Sequence, residues 1–206
     1  MKELKIQVME DDLKILKDNH YALCIAKCVE DCDFNVIWQA EQNFTQENSI
    51  TWEEKYSIFA SRQMKKQTVV QMNVSPKEIA AGQQITLLAE GCFGDVESSK
   101  EQDEIIMINQ WMPIYPGLCQ QCTSFAGATA YAPFYVSPDM CIPGTFTTKP
   151  TEQIMVWFAQ SAQSGLIISE KKHEETEKAL SNFITIDMSE KNEMSIAFDK
   201  FSWKKI

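Results

Sequence analysis

Short apolar or alternating segments separated by glycine and proline dominate this chain and constrain its fold more than any other feature. Turn signals cluster at residues 82, 91–94, 113–117, 133–138 and 143–144. The segments between them are rich in Val, Ile, Thr, Phe and Trp, which favours strands over helices. We therefore predict an all-β protein. The predicted strands are residues 21–29, 35–41, 49–61, 68–74, 84–89, 105–110, 129–136, 153–161, 166–169, 183–188 and 195–203.

Helix signals are few. Residues 11–20 predict about two helical turns that begin at Asp11 or Asp12, and residues 174–180 predict a second short helix. Both segments are polar, so we expect both helices at the periphery of the β structure. The first two predicted strands are close in sequence and predict a hairpin that turns at Asp31-Cys32-Asp33.

A weak internal repeat indicates how the strands are organised. Phe59-Ala60 recurs as Phe158-Ala159, 99 residues later, and Ile85-Thr86-Leu87 recurs at the same offset as Ile184-Thr185-Ile186. The repeat predicts a β-sandwich built from two weakly similar units of about 100 residues each. The predicted divisions are an N-terminal arm or short helix at 1–20, a first β unit at 21–94, an acidic connection at 95–104 and a second β unit at 105–206.

The charge balance excludes some classes of partner. The net charge is −10 and the isoelectric point is near 4.7, whereas binding to nucleic acid needs clustered Lys and Arg. The same charge makes copies of the chain repel one another near pH 7 but not near pH 5. No apolar run approaches the length of about 18 residues that spans a membrane. The charged N-terminal segment also lacks the apolar stretch of a signal peptide.

Seven cysteines carry the most informative chemistry of the chain. Cys24, and to a lesser degree Cys28, lie in an apolar strand and are expected to be buried. The other five lie in turn-rich segments and are expected to be exposed: Cys32, Cys92, Cys119, Cys122 and Cys141. A zinc site, a redox pair and disulfides are the alternatives for these five thiols. Because seven is odd, pairing within the chain leaves at least one thiol over, which suggests intermolecular pairing or a reactive thiol.

Recognisable catalytic motifs are absent from the sequence. It contains no GxSxG elbow, no phosphate-binding loop and no dinucleotide-binding turn. No carboxylate is evident within an apolar run that would raise its pKa. We therefore expect a non-enzymatic protein without a metal or cofactor. Of the five tryptophans, Trp52 and Trp157 are expected in the core, whereas Trp111, with Tyr115, is a possible ligand contact beside a Pro-Gly turn.

Several segments resemble a family of small fungal and bacterial β proteins that includes octin-like proteins, which crystallise in vacuoles as gravity-sensing statoliths. They are residues 25–29 (IAKCV), 35–39 (NVIWQ), 50–52 (ITW), 133–136 (PFYV), 143–146 (PGTF), 154–158 (IMVWF) and 166–169 (LIIS). The resemblance implies a β fold without catalytic residues, a vacuolar location, and assembly with other copies of the chain through intermolecular disulfides. The cysteines expected to form those disulfides are Cys119, Cys122, Cys92, Cys32, Cys141 and Cys28, with Cys24 buried.

The leading hypothesis is a structural protein that assembles with itself into a dense lattice, without nucleic acid or stable membrane insertion. The alternative is a lectin-like or membrane-active β binding module that uses Trp111 and Tyr115.

Overall fold

A computed structural model describes residues 1–168 and 183–206 of the chain. Fifteen strands and one helix, α1 (Glu10–Asp18), lie in these residues, and the predicted all-β class is confirmed. The strands are β1 (Lys2–Val8), β2 (Tyr21–Val29), β3 (Ile37–Glu41), β4 (Glu47–Ser61), β5 (Val74–Ile79), β6 (Gln83–Leu87), β7 (Phe93–Ser98), β8 (Ile105–Asn109), β9 (Tyr115–Thr123), β10 (Thr129–Val136), β11 (Gly144–Thr148), β12 (Pro150–Gln160), β13 (Ile184–Asp187), β14 (Glu193–Asp199) and β15 (Ser202–Lys205).

The strands form three sheets that pack together in a sandwich-like arrangement. The first sheet has the order β10-β9-β4-β1-β14-β15, with β5 added to β4, and the second has the order β13-β12-β2-β3. The third sheet has the order β11-β8-β6-β7. Pairing is antiparallel except between β1 and β14 and between β6 and β8. One continuous apolar core receives side chains from all three sheets.

Strand β2 lies at the centre of the second sheet and is buried along its whole length. Leu23 and Ile25 point into the main core, whereas Ala22, Cys24 and Ala26 point into a smaller apolar cluster on the opposite face. This alternation is the period of two that any strand imposes on its side chains. By the same alternation, Lys27 faces the main core.

Strand β1 differs from the prediction of an N-terminal arm or short helix over residues 1–20. The helix is present, but Lys2–Val8 forms an interior strand between β4 and β14. Leu4, Ile6 and Val8 alternate with polar residues and are buried, so the pattern of a half-buried strand was present in the sequence.

Strand β9 differs from the prediction in a way that matters for function. Pro116 and Gly117 predicted a turn, yet both lie within a strand that pairs with β4 and β10. A Cβ atom on Gly117 would lie only 2.1 Å from the Phe59 ring. Glycine is therefore present here for close packing between neighbouring strands.

Other differences are local. The predicted strand at 68–74 is only partly present: Val74 begins β5, whereas the residues before it form an isolated bridge between Val69 and Leu166 and backbone hydrogen bonds to residues 165 and 167. The predicted hairpin of β2 and β3 is confirmed, and Asp31 lies in its turn with a positive φ of 58°. The predicted helix at 174–180 and the end of the predicted strand at 166–169 lie outside the described residues.

The three sheets each combine strands from both predicted β units. Strand β2 pairs with β12, β4 pairs with β9, and β6 pairs with β8. The predicted acidic connection at 95–104 begins inside β7. Within the described residues, each of the three sheets therefore contains backbone hydrogen bonds between the two predicted units.

Candidate functional site

The seven thiols differ sharply in their access to solvent, and no two of their sulfur atoms are bonded to each other. Cys92 is exposed, and Cys32 and Cys141 are partly exposed. The remaining four thiols are buried: Cys24, Cys28, Cys119 and Cys122. The burial of Cys24 agrees with the prediction, whereas the predicted exposure of Cys119 and Cys122 is wrong.

Strand β9 explains the burial of Cys119 and Cys122. Cys122 faces the main core and accepts a hydrogen bond from Nε2 of Gln39 at 3.2 Å. Cys119 faces the opposite side and packs with Phe59 and Val136. Desolvation raises the pKa of Cys119 to about 12 and that of Cys122 to about 11. Both remain protonated and enclosed, which removes them as links to another molecule.

Cys24 and Cys28 lie on β2 and are also enclosed. Desolvation raises the pKa of Cys24 to about 12 and also raises that of Cys28. The Cys28 sulfur lies 3.4 Å from Oγ1 of Thr151, at the edge of a hollow that Cys32 also lines. Cys28 is buried, whereas Cys32 is partly exposed. Cys32 can therefore still form the predicted link to another molecule.

Cys92 and Cys141 belong to one surface formed by three loops, residues 88–92, 110–114 and 138–142. Nδ2 of Asn109 donates hydrogen bonds to the backbone oxygens of Met112 and Cys141, at 2.9 and 3.0 Å. The backbones of Ile114 and Cys141 exchange two further hydrogen bonds. The first loop contacts the second through Gly91, where a Cβ atom would lie 2.9 Å from the Trp111 ring. The sequence separates these loops, and the third sheet and its flanks bring them together.

Large apolar side chains are exposed on this surface. Met112, Met140 and Ile142 are 38%, 52% and 66% exposed. Met140 and Ile142 flank Cys141 in the sequence, and Met112 follows Trp111, whose ring contacts Gly91 next to Cys92. We call the group Cys92, Trp111, Met112, Met140, Cys141 and Ile142 the loop surface. Clustered exposed apolar side chains are typical of contact sites, whereas single ones are common on any protein.

Trp111 and Tyr115 were predicted as possible ligand contacts. Trp111 is half-buried in the loop surface, with Gly91 against its ring and the Arg62 guanidinium 5.2 Å from the ring centre. Tyr115 packs instead with Phe59 and Val136 in a separate apolar cluster. The two aromatic residues therefore do not form one stacking platform for a sugar or a lipid.

A second site lies inside the protein, where sequence reasoning found none. The Nζ atom of Lys27 donates to Oε1 of Gln120 at 2.6 Å and to Oε1 of Glu152 at 2.9 Å. Nε1 of Trp52 donates to the other carboxylate oxygen of Glu152 at 2.7 Å, and the Tyr56 hydroxyl lies 3.5 Å from Oε1. We call these five residues the buried charged cluster. They come from β2, β4, β9 and β12 and so connect the first and second sheets.

The cluster is isolated from water. Lys27 and Gln120 are 0% exposed and Glu152 is 8% exposed. The Lys27 ammonium also lies 5.4 Å from the ring centres of Trp38 and Trp52, which favours a cation. Desolvation nevertheless lowers the pKa of Lys27, and the neighbouring Glu152 carboxylate opposes this shift. A lysine of this kind more readily releases its proton and acts as a nucleophile.

Alternation along the strands was the signal that could have located this cluster. On β12, Glu152 lies on the same face of the strand as Ile154, Val156 and Phe158, all of which are buried. The expectation that no carboxylate lies in an apolar run is therefore wrong for Glu152. On β9, Gln120 shares its face with Leu118 and Cys122 in the same way.

Comparison with known proteins gives no match to a family model, a curated protein or a solved structure. Among residues 1–168 and 183–206, no helix has the length and apolar character needed to cross a membrane. Over the same residues, no three His, Cys, Asp or Glu side chains are grouped so that they would hold a metal ion.

Proposed function

We propose that this chain is a structural protein that assembles with copies of itself into a dense body, cross-linked by intermolecular disulfides of Cys92 and Cys141. The observation that carries the proposal is that these two accessible thiols lie in loops joined by Asn109 and Trp111, and that the same group of loops carries the exposed Met112, Met140 and Ile142. Six cysteines were expected from the sequence to form these disulfides. Three of them, Cys28, Cys119 and Cys122, are buried, so Cys32, Cys92 and Cys141 remain as candidates.

A second copy of the chain is the occupant that best fits the loop surface. An isologous contact places the same patch of both molecules face to face, so each exposed thiol meets the thiols of its partner. The three exposed apolar side chains are then removed from water, which provides a non-covalent attraction. Oxidation joins two sulfur atoms and releases two protons, and dioxygen or a small disulfide accepts the two electrons.

Acidity controls the first step of this assembly. At pH 7 the net charge of −10 makes the copies repel one another, and this repulsion disappears toward the isoelectric point near 4.7. The covalent step has the opposite dependence, because the thiolate is the reactive form and becomes scarcer as the pH falls. We therefore expect acid to drive packing rapidly and disulfide formation to follow more slowly.

A lattice requires more than one contact per molecule. Cys32 offers a second linking position, since it is partly exposed in the turn between β2 and β3. The octin-like resemblance supports the same function and adds its setting, a statolith inside an acidic fungal vacuole. That setting is part of the proposal.

The test is electrophoresis of assembled protein with and without a thiol reductant. We expect disulfide-linked oligomers that the reductant converts to monomers, and far fewer of them in the Cys92→Ser/Cys141→Ser variant. Cys24→Ala is the matched control, because it also removes a thiol but one that is fully buried. Assemblies that contain only monomers on the non-reducing gel would contradict the proposal.

A further inference from the structure

The buried charged cluster takes no part in the proposed assembly, yet it places an amine, a carboxamide and a carboxylate in contact inside the core. We propose that Lys27 and Gln120 are joined within the chain by an isopeptide bond, with Glu152 as the proton carrier and ammonia as the leaving group. The bond would connect Nζ of Lys27 on β2 to Cδ of Gln120 on β9.

The geometry brings the reacting groups together before any reaction occurs. Nζ of Lys27 lies 2.6 Å from the carboxamide oxygen of Gln120, and Nε2 of Gln120 donates to the backbone oxygen of Glu53 at 2.9 Å. That second hydrogen bond keeps the carboxamide oxygen turned toward the amine. Groups held in this way react as if at very high concentration, because the entropic cost of bringing them together was met when the chain folded.

Glu152 has the position required of a proton carrier. Its Oε1 accepts a hydrogen bond from Lys27 at 2.9 Å, while Trp52 fixes the other oxygen at 2.7 Å. Burial away from solvent disfavours the charged form of Lys27 and lowers its pKa, although the neighbouring Glu152 carboxylate opposes this shift. In the proposed reaction a proton passes from this ammonium to the carboxylate along the 2.9 Å hydrogen bond, which leaves a neutral amine able to attack.

The reaction balances without an external oxidant or reductant. The Lys27 ammonium first gives a proton to Glu152, and the nitrogen lone pair then attacks Cδ of Gln120. Glu152 donates its proton to the carboxamide oxygen of the tetrahedral intermediate, and protons then move to the Gln120 nitrogen. The bond between Cδ and that nitrogen breaks. Ammonia leaves as an ammonium ion, and Glu152 returns to its carboxylate form.

Gln120 is the acyl group in this proposal and Glu152 is not. Glu152 is needed to carry the proton, and its two oxygens are held by hydrogen bonds from Lys27, Trp52 and Tyr56. The Gln120 carboxamide is the other acyl group in contact with the Lys27 amine. The resulting bond would join residues 93 positions apart and link the first sheet to the second.

Peptide mapping of the full chain by mass spectrometry tests the proposal. We expect the peptides that contain Lys27 and Gln120 to appear as one cross-linked species, lighter than their sum by about 17 Da because one ammonia has left. Two separate linear peptides, after the folded protein has been kept at neutral pH, would overturn the proposal. A bond between Lys27 and Glu152 with loss of water would overturn it as well.

Variants separate the roles of the three residues. Glu152→Gln keeps the shape of the side chain but removes the proton carrier, so the cross-linked species should be lost while cooperative unfolding persists. Lys2→Met is the matched control, since Lys2 is also buried but its Nζ donates to backbone oxygens and lies 3.8 Å from the Glu54 carboxylate, with no hydrogen bond to Gln120 or Glu152. A cross-linked species that forms unchanged in Glu152→Gln would contradict the assigned proton carrier, and its loss in Lys2→Met would contradict the specificity of the site.

Discussion

The ammonium of Lys27 lies 2.9 Å from the carboxylate of Glu152, and the two side chains meet between sheets rather than on a surface. A buried ion pair of this kind costs much of its Coulomb attraction in lost hydration, so it contributes little net stability. Removing one partner is different, because the remaining charge is left without compensation. Both residues belong to the second sheet, on β2 and β12, and hydrogen bonds with Gln120 and Trp52 connect the pair to the first sheet.

The first prediction concerns the loss of one charge. It is made in a Gln120→Met background, which has no acyl group and so excludes the proposed isopeptide bond. There, Glu152→Gln leaves the Lys27 ammonium unpaired, and we expect a loss of about 3 kcal/mol in the free energy of unfolding in urea. Adding Lys27→Met should recover a large part of this loss, because no buried charge remains. Equal stability with and without Lys27→Met would contradict the interpretation.

The second prediction concerns thiol reactivity. With a soluble thiol reagent at pH 8, Cys92 should react first, Cys32 and Cys141 more slowly, and the four buried thiols only after the chain is unfolded. Mass spectrometry of the labelled peptides identifies each position. The Cys92→Ser variant should lose the fastest phase alone. Rapid labelling of Cys119 or Cys122 in the folded chain would mean that β9 is not enclosed as described.

The third prediction concerns alkaline pH. An unfolded thiol ionises near pH 9, whereas burial raises the pKa of Cys24 and Cys119 to about 12. Between these values the unfolded chain has released protons that the folded chain retains, so stability falls as the pH rises. We expect a loss of about 1 kcal/mol per pH unit for each thiol over this range. The Cys24→Ala/Cys119→Ala variant should show a shallower decline in urea titrations, and an identical slope would contradict the assignment.

The fourth prediction concerns Gly117. Gly117→Ala should destabilise the protein by about 2 kcal/mol, because the new methyl group overlaps the Phe59 ring. Gly94→Ala is the control, since a Cβ atom there meets its nearest neighbour at 3.6 Å and the backbone needs no positive φ. Thermal unfolding of the two variants compares them directly. A smaller, aliphatic side chain at position 59, as in Phe59→Leu, should reduce the cost of Gly117→Ala.

The sequence predicted the fold class because strand alternation and turn residues act locally. The predicted bounds of β2 and β10 agree with the structure. The prediction of a turn at Pro116 and Gly117 was wrong, because these residues lie in β9. Gly117 is required there by close packing against Phe59, which is distant in sequence. Because β9 was not predicted as a strand, Cys119 and Cys122 were expected to be exposed, whereas both are buried.

The two sites were predictable to different degrees. The thiols of the loop surface were identified from the sequence, yet the contacts that join their loops are made by the Asn109 side chain and by Gly91 against Trp111. The buried charged cluster was missed, because a lysine or glutamate in a strand is ordinarily on its solvent side. Only the pairing of β2 with β12, and the packing of both on β9, brings the three groups together.

The central claim is tested most directly by oxidising a mixture of isotopically light and heavy chains at the pH of assembly and mapping the disulfide-linked peptides. The account predicts linked peptides of Cys92 and Cys141 that join one light and one heavy chain. Peptides linked only within light or only within heavy chains, or no linked peptides in assembled material, would contradict it.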